Sequence, residues 1–306
     1  MKFINLGSTE LTVSEVALGC MRMDVMSAQQ AAAHIAECIE CGINFFDNAD
    51  IYGAGASEER FAQAFSRLNI RREDIIVQSK CGIVPGVMYD LSKDHIVKAV
   101  DGILKRLNLE YLDILVLHRP DALVEPEEVA AAFDCLQSCG KVRYFGVSNH
   151  KPSQIELLKK YVKQNLIVNQ LQLSLPCSNM IANGLEVNMT SDGALNRDAS
   201  VLDYCRLNDI TVQAWSPFQS PNWQGPFIDS ERYPELNSVL CEVGEKYGVS
   251  KTTIAAAWIL RHPAKIQVVA GTMNGERIKE IAAASDITLT KEEWYKLYIA
   301  AGHILP

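Results

Sequence analysis

Gly42-Ile-Asn-Phe-Phe-Asp47-Asn-Ala-Asp-Ile-Tyr52 is a β-branched and aromatic run that ends on a carboxylate, with a phenol five residues further on. Two other short runs end in the same manner. Ile75-Ile-Val-Gln-Ser-Lys80 closes on an amine, and Leu112-Asp-Ile-Leu-Val-Leu-His118 closes on an imidazole. In a barrel of parallel strands, side chains at the C-terminal strand ends converge on one mouth, where chemistry is built. Asp47, Tyr52, Lys80 and His118 gathered there would form a proton-transfer device.

Working outward, the chain alternates between two patterns. Candidate strands fall at 13–21, 43–49, 74–81, 112–119, 142–149, 167–174, 210–217 and 266–272. None shows clean alternation of polar and apolar residues, as expected when both faces of a parallel strand are buried. Helical patterns separate them. Ser27-Ala-Gln-Gln30 has capping-box spacing, and Gly42 stops that helix after Cys41. Ser57-Glu-Glu is predicted to open a second helix, Ser92 a third running to about Leu107, and Pro126-Glu-Glu a fourth ending before Gly140. Segments 151–161, 197–208, 235–247 with 252–261, and 276–285 complete eight strand-then-helix units. Thr290-Lys-Glu-Glu293 caps an extra C-terminal helix. Eight alternations without a composition break predict an α/β fold, a closed (β/α)8 TIM barrel forming one domain over 1–306. Residues 3–13 read as an N-terminal β-hairpin turning at 7–10. Segments 176–196 and 218–234, rich in Asn, Ser, Gly and Pro, are expected as long loops over the barrel mouth.

Composition narrows the class. Barrels of this kind often use about 300 residues as one domain, and 48% hydrophobic content suits a globular core. A formal charge of −8 argues against a nucleic-acid surface, which needs clustered Lys and Arg. No apolar run approaches the roughly 20 residues of a membrane span, and 1–10 lacks the apolar region of a signal peptide. Nine cysteines without framework spacing fit a reducing compartment. The expectation is a soluble cytoplasmic protein, monomeric or weakly homo-oligomeric, with no nucleic-acid or membrane partner.

Three other spacings lead elsewhere and are set aside. Cys38-Ile-Glu-Cys41 ends a helix, where the negative dipole end raises a thiol pKa. Joining it with Cys135 and Cys139 into a zinc site conflicts with the wide, helical spacing. Gly53-Ala-Gly55 is followed by Glu58 where a dinucleotide fingerprint needs glycine. Leu18-Gly-Cys-Met lacks the histidines that a metal-dependent barrel hydrolase would place there. No metal site is expected.

Gly42 to Gly53 with Ser57-Glu58 resembles the signature segment of the aldo-keto reductase family. Lys80, His118, Gly146-Val-Ser-Asn149, Val168-Asn-Gln170, Ala214-Trp215-Ser-Pro217 and Val269-Ala-Gly-Thr with Glu276-Arg277 continue that resemblance in order and spacing across nearly the whole chain. It implies reduction of aldehydes or ketones by NADPH, reversible as alcohol oxidation, on a small-molecule carbonyl substrate. The missing Gly-rich fingerprint agrees, because this family holds its nucleotide without a Rossmann fold.

Carbonyl reduction needs hydride at carbon and a proton at oxygen. Tyr52 is an available donor, and a cation beside it would lower a phenol pKa otherwise near 10. Lys80 supplies that cation, Asp47 can keep it charged, and His118 can hydrogen-bond the carbonyl oxygen. The resemblance implies the same roles. Singly, each residue reads as a barrel-end ion pair or a satisfied polar group; together they read as catalytic. Ser148, Asn149 and Gln170 carry amide and hydroxyl groups suited to a carboxamide, and Trp215, leading into Ser216, Pro217 and Phe218, offers a flat face. By resemblance these hold the nicotinamide. Gly271, Thr272, Met273, Asn274 and Arg277 surround a helix start, which suits a phosphate of NADP(H). Many family members have Lys where Gly271 stands, so preference for NADP over NAD is expected to be moderate. Two rival readings use the same residues: a Schiff-base lyase with Lys80 as nucleophile, and a nicotinamide-nucleotide-binding, redox-sensing subunit. Met21, Tyr89, 176–196 and 218–227 are expected to shape the substrate pocket.

Overall fold

A computed structural model describes residues 1–303. Its apolar runs form short strands whose backbones pair in parallel. A hairpin of β1 (Phe3–Asn5) and β2 (Thr12–Ser14) precedes β3 (Val16–Gly19). Then come α1 (Ala28–Glu40), β4 (Phe45–Asp47), α2 (Ala56–Phe65), β5 (Ile76–Cys81), a small hairpin of β6 (Ile83–Val84) and β7 (Met88–Tyr89), α3 (Lys93–Leu107), β8 (Leu112–Leu117) and α4 (Pro126–Ser138). The second half holds β9 (Val142–Ser148), α5 (Pro152–Lys159), β10 (Leu166–Gln172), α6 (Asn179–Leu185), α7 (Val201–Leu207), β11 (Thr211–Trp215), α8 (Pro234–Tyr247), α9 (Lys251–Leu260), β12 (Gln267–Ala270), α10 (Gly275–Ala283) and α11 (Lys291–Ala300). Strands β3, β4, β5, β8, β9, β10, β11 and β12 close in that order into a parallel barrel, with β12 pairing back onto β3.

Two apolar clusters hold this arrangement. The larger lies between strands and helices and includes Phe46, Phe61, Phe133, Phe145 and Trp258, all fully buried. The smaller joins Leu6 and Val13 of the N-terminal hairpin to Ala17, Phe45, Ile76, Ile114, Val116 and Val269. Phe45 and Ile76 begin their strands, so the hairpin plugs the end of the barrel opposite the catalytic mouth. No helix among the described residues is long and apolar enough to cross a membrane.

Local details depart from the sequence reading. The first predicted strand divides at Glu15 between the hairpin and the barrel. Ser57 does not cap α2; the helix starts one residue earlier, and the Ser57 hydroxyl is buried and donates to the Met21 carbonyl at 3.0 Å. The expected loop at 176–196 contains α6, and α7 begins only at Val201. The β6–β7 hairpin was not foreseen, because two-residue strands carry no periodicity.

Candidate active site

Asp47 is the last residue of β4, Lys80 the penultimate residue of β5, and His118 directly follows β8. Tyr52 opens a 3-10 turn over Tyr52–Gly55 that leads into α2. This turn is fixed by sequence and packing together. Gly55 has φ +94°, and a Cβ there would lie 2.7 Å from Arg106 Cδ, so glycine is required. Arg106 instead donates to the fully buried Glu58 carboxylate at 2.7 Å, and Ser79 Oγ donates to the same carboxylate at 2.6 Å. Glu58 thereby ties the first turn of α2 to α3 and β5, holding Tyr52 against the strand ends.

Lys80 is fully buried. Its Nζ lies 2.8 Å from Asp47 Oδ2 and 2.7 Å from Oδ1, and it donates to the Asn48 carbonyl at 2.8 Å and to Tyr52 Oη at 3.0 Å. Burial works against the ammonium, but Asp47 and Tyr52 outweigh it and hold the Lys80 pKa above its ordinary value. Tyr52 departs from the expectation. Burial raises its pKa, the Lys80 ammonium lowers it, and the net direction is upward. His118 meets Tyr52 edge-on, with ring centroids 6.0 Å apart. Burial, then the Lys80 and Arg119 charges, push its pKa down to about 2, so the imidazole is neutral.

Asp47 has further partners that the sequence reading missed. Gln78 Nε2 donates to Asp47 Oδ1 at 2.7 Å, and Gln170 Nε2 reaches the same oxygen at 3.2 Å. Both amides also donate to Gln213 Oε1, at 2.9 and 3.3 Å. Gln213 donates in turn to Gln267, which donates to the Ser14 carbonyl. Four buried glutamines thus form a hydrogen-bonded chain along the barrel interior, in which Gln78 Oε1 alone finds no partner among the described residues. The available signal was their position as polar breaks in otherwise apolar strands.

A cavity of about 780 Å³ opens from this centre and runs to the start of α10. Asp47, Tyr52, His118, Ser148, Asn149, Gln170, Trp215, Ser216, Pro217, Phe218, Gly271, Thr272, Asn274 and Arg277 all line it. Lys80 lies behind Tyr52, off the wall. Met273 is absent from the wall too and packs against the main core. Ser148 Oγ donates to the Gln170 carbonyl at 2.8 Å and accepts from Asn149 Nδ2 at 2.8 Å, while Trp215 Nε1 donates to Asn149 Oδ1 at 3.2 Å. Trp223 stacks on the Trp215 indole at 5.6 Å. Asn274 caps α10 by accepting from Arg277 N at 3.0 Å. Of the expected pocket segments, Met21, Phe218, Gln219, Trp223 and Pro226 reach the wall, whereas Tyr89 and 176–196 do not. Near the latter segment, Ser178 Oγ and the Leu175 carbonyl are engaged by His303. Arg22 lines the cavity without having been foreseen.

The aldo/keto reductase family model matches residues 15–300. The chain belongs to this family. Its relatives include an uncharacterised oxidoreductase, YcsN, of Bacillus subtilis, 34% identical over 97% of each chain. A 6-dehydroglucose reductase of Agrobacterium fabrum is 32% identical over 96% of each. Among solved structures, an aldo-keto reductase from Klebsiella pneumoniae in complex with NADPH has a TM-score of 0.79 at 23% identity, covering 100% of this chain and 96% of that one. This last likeness establishes the shared barrel fold. The aldo/keto reductase described here is therefore an oxidoreductase in which Asp47, Lys80 and His118 at strand ends meet Tyr52 at the mouth of the barrel.

Proposed function

We propose that this protein reduces aldehydes or ketones with NADPH, Tyr52 acting as proton donor. One observation carries the reading: Lys80 Nζ is buried between Asp47 and Tyr52, 2.8 and 3.0 Å from their oxygens. The nucleotide fits the residues present. The cavity joins the Tyr52–His118 end to an amide, hydroxyl and indole wall, then to the capped start of α10 beside Arg277. Ser148, Asn149, Gln170 and Trp215 would hold the nicotinamide, and Thr272, Asn274 and Arg277 the phosphate end. The Klebsiella neighbour's NADPH and the Agrobacterium relative's reductase name support the same choice.

When bound, the reduced nicotinamide supplies hydride to the carbonyl carbon. Neutral His118 faces the same cavity and offers a ring N–H to the carbonyl oxygen, positioning it at Tyr52. Tyr52 gives its proton to that oxygen as charge develops there. The Lys80 ammonium stabilises the resulting phenolate, and Asp47 with the Asn48 carbonyl keeps that ammonium charged and oriented. The phenolate regains its proton from solvent in the cavity, and reversal oxidises the alcohol.

The Schiff-base reading is disfavoured by the same geometry, because Lys80 Nζ is engaged by Asp47, Asn48 and Tyr52 with a raised pKa. A nucleophilic lysine must present a neutral amine. The test is a titration of NADPH fluorescence followed by a screen of aldehydes, ketones and quinones for loss of nicotinamide absorbance. NADPH binding with carbonyl-dependent oxidation supports the proposal. Borohydride trapping of a carbonyl on Lys80, or NADPH binding without turnover of any carbonyl, would replace it with the lyase or the sensing subunit.

A further inference from the structure

Five arginines make no side-chain hydrogen bond or ion pair among the described residues: Arg22, Arg60, Arg67, Arg119 and Arg277. Three of these, Arg22, Arg119 and Arg277, line the one cavity that holds Tyr52 and His118. The closed strand order separates their surroundings. Arg277 follows β12, and Arg22 follows β3, which pairs with β12. Arg277 opens α10, where the phosphates of NADP(H) would lie, and Arg22 directly follows Met21. Arg119 follows β8, which lies beyond β4 and β5, the strands carrying Asp47 and Lys80. It directly follows His118, the residue that would hold the carbonyl oxygen, and so stands at the reacting end of the cavity.

The surroundings of Arg119 sharpen its meaning. It is half-buried, follows His118 directly in the chain, and lines the same cavity as Ile51, Tyr52, Ile83 and His118. His118 is neutral, partly because of the Arg119 charge itself. Asp47, the nearby carboxylate of the wall, is already paired with Lys80. A protein with a formal charge of −8 thus keeps an uncompensated guanidinium next to His118 in its cavity. A guanidinium fork matches carboxylate and phosphate oxygens in pairs and loses less hydration than an ammonium on binding them.

We infer that Arg119 is a specificity-determining residue that selects carbonyl substrates carrying an anionic group, a carboxylate or phosphate, on a short and partly apolar skeleton. The inference rests on the reductase reading and names the substrate class of that site. No extra step is added: hydride still goes to carbon and the Tyr52 proton to oxygen, while Arg119 anchors the far end.

The test compares charged and neutral partners of one skeleton, namely 4-oxobutanoate with its methyl ester, and glyceraldehyde 3-phosphate with glyceraldehyde. The carboxylate and phosphate arms tell which anion is preferred. A charge-assisted bidentate contact predicts a kcat/KM advantage of about ten- to a hundredfold for at least one anion. In Arg119→Gln that ratio should collapse, chiefly through KM, and Arg119→Lys should restore part of it. Arg277→Gln should leave the ratio in place while weakening NADPH. Calorimetric titration of each pair into the protein, with and without NADP+, reads the same preference without turnover. If neither anion binds more tightly than its neutral partner, or the advantage survives in Arg119→Gln, the inference is overturned. Failure of every carbonyl to be reduced overturns the reductase reading instead, and the titration still decides the anion site.

Discussion

Lys80 Nζ donates to Tyr52 Oη at 3.0 Å, and the same nitrogen lies 4.8 Å from the centre of the Tyr52 ring. The ammonium therefore touches both the oxygen that would lose a proton and the ring that would carry the resulting charge. Tyr52→Phe keeps the ring contact and deletes the donor. Turnover should fall by about 10²–10⁴, the range of a lost general acid, with little change in NADPH affinity. Steady-state kinetics with a parallel fluorescence titration checks this. Near-normal turnover would move the proton donation to His118 or water.

The pH profile follows from the directions of two displacements. Tyr52 must be protonated to donate, and burial holds its pKa above the usual value near 10 despite Lys80. His118 is neutral at any pH well above about 2. The carbonyl reduction rate should thus show no limb from either group between about pH 5 and 9, and should decline only at more alkaline pH as the phenol ionises. A limb near pH 6.5 that disappears in His118→Gln would contradict the neutral imidazole.

Nucleotide preference depends on two positions after β12. Arg277 has no side-chain partner among the described residues and lines the cavity, so Arg277→Ala should weaken NADPH about ten- to a hundredfold more than NADH. Gly271 is exposed, with nothing within 4 Å of where a Cβ would stand. Gly271→Lys therefore fits without displacement and should raise the NADPH-over-NADH ratio of affinities, by about tenfold for one charge-assisted contact. Equal loss of both nucleotides in Arg277→Ala would make that residue structural.

Asp50 predicts a stability effect. Burial and then the neighbouring Glu58 charge raise its pKa from 3.8 to about 7, with Arg106 and Lys80 acting in the opposite direction. Its Oδ1 is buried with no partner among the described residues. Between those two pH values the folded chain binds a proton that the unfolded chain has lost, so this residue's contribution to stability falls as pH rises from about 4 to 7. The displacement caps that loss at roughly 4 kcal/mol. Asp50→Asn should remove it, giving a variant whose denaturation midpoint gains on the wild type as pH rises through this window. Parallel pH dependence of the two proteins would show that Asp50 is charged when folded.

The strand ends were readable because a buried parallel strand needs a continuous apolar run, and Asp47, Lys80 and His118 each stand where such a run stops. Helix starts with side-chain caps at Ser27, Ser92 and Thr290 were readable for a similarly local reason, a hydroxyl satisfying a free backbone N–H. Ser57 was misread because its hydroxyl goes to Met21, 36 positions away, instead of to its own helix. Such partners depend on which strands become neighbours. Gln78 and Gln213 are 135 positions apart and meet only because the barrel closes. Closure also decides that Arg119 stands on the opposite side of β4 and β5 from Arg22, and that Met273 turns to the core. The upward shift of Tyr52 belongs to the same class, since desolvation is set by everything packed around a group. The sequence by itself determined the alternation of elements and the residues at the strand ends, because those follow from local periodicity. The tertiary structure alone decided who meets whom and how dry the meeting place is, because distance and burial are properties of the closed barrel and not of neighbouring residues in the chain.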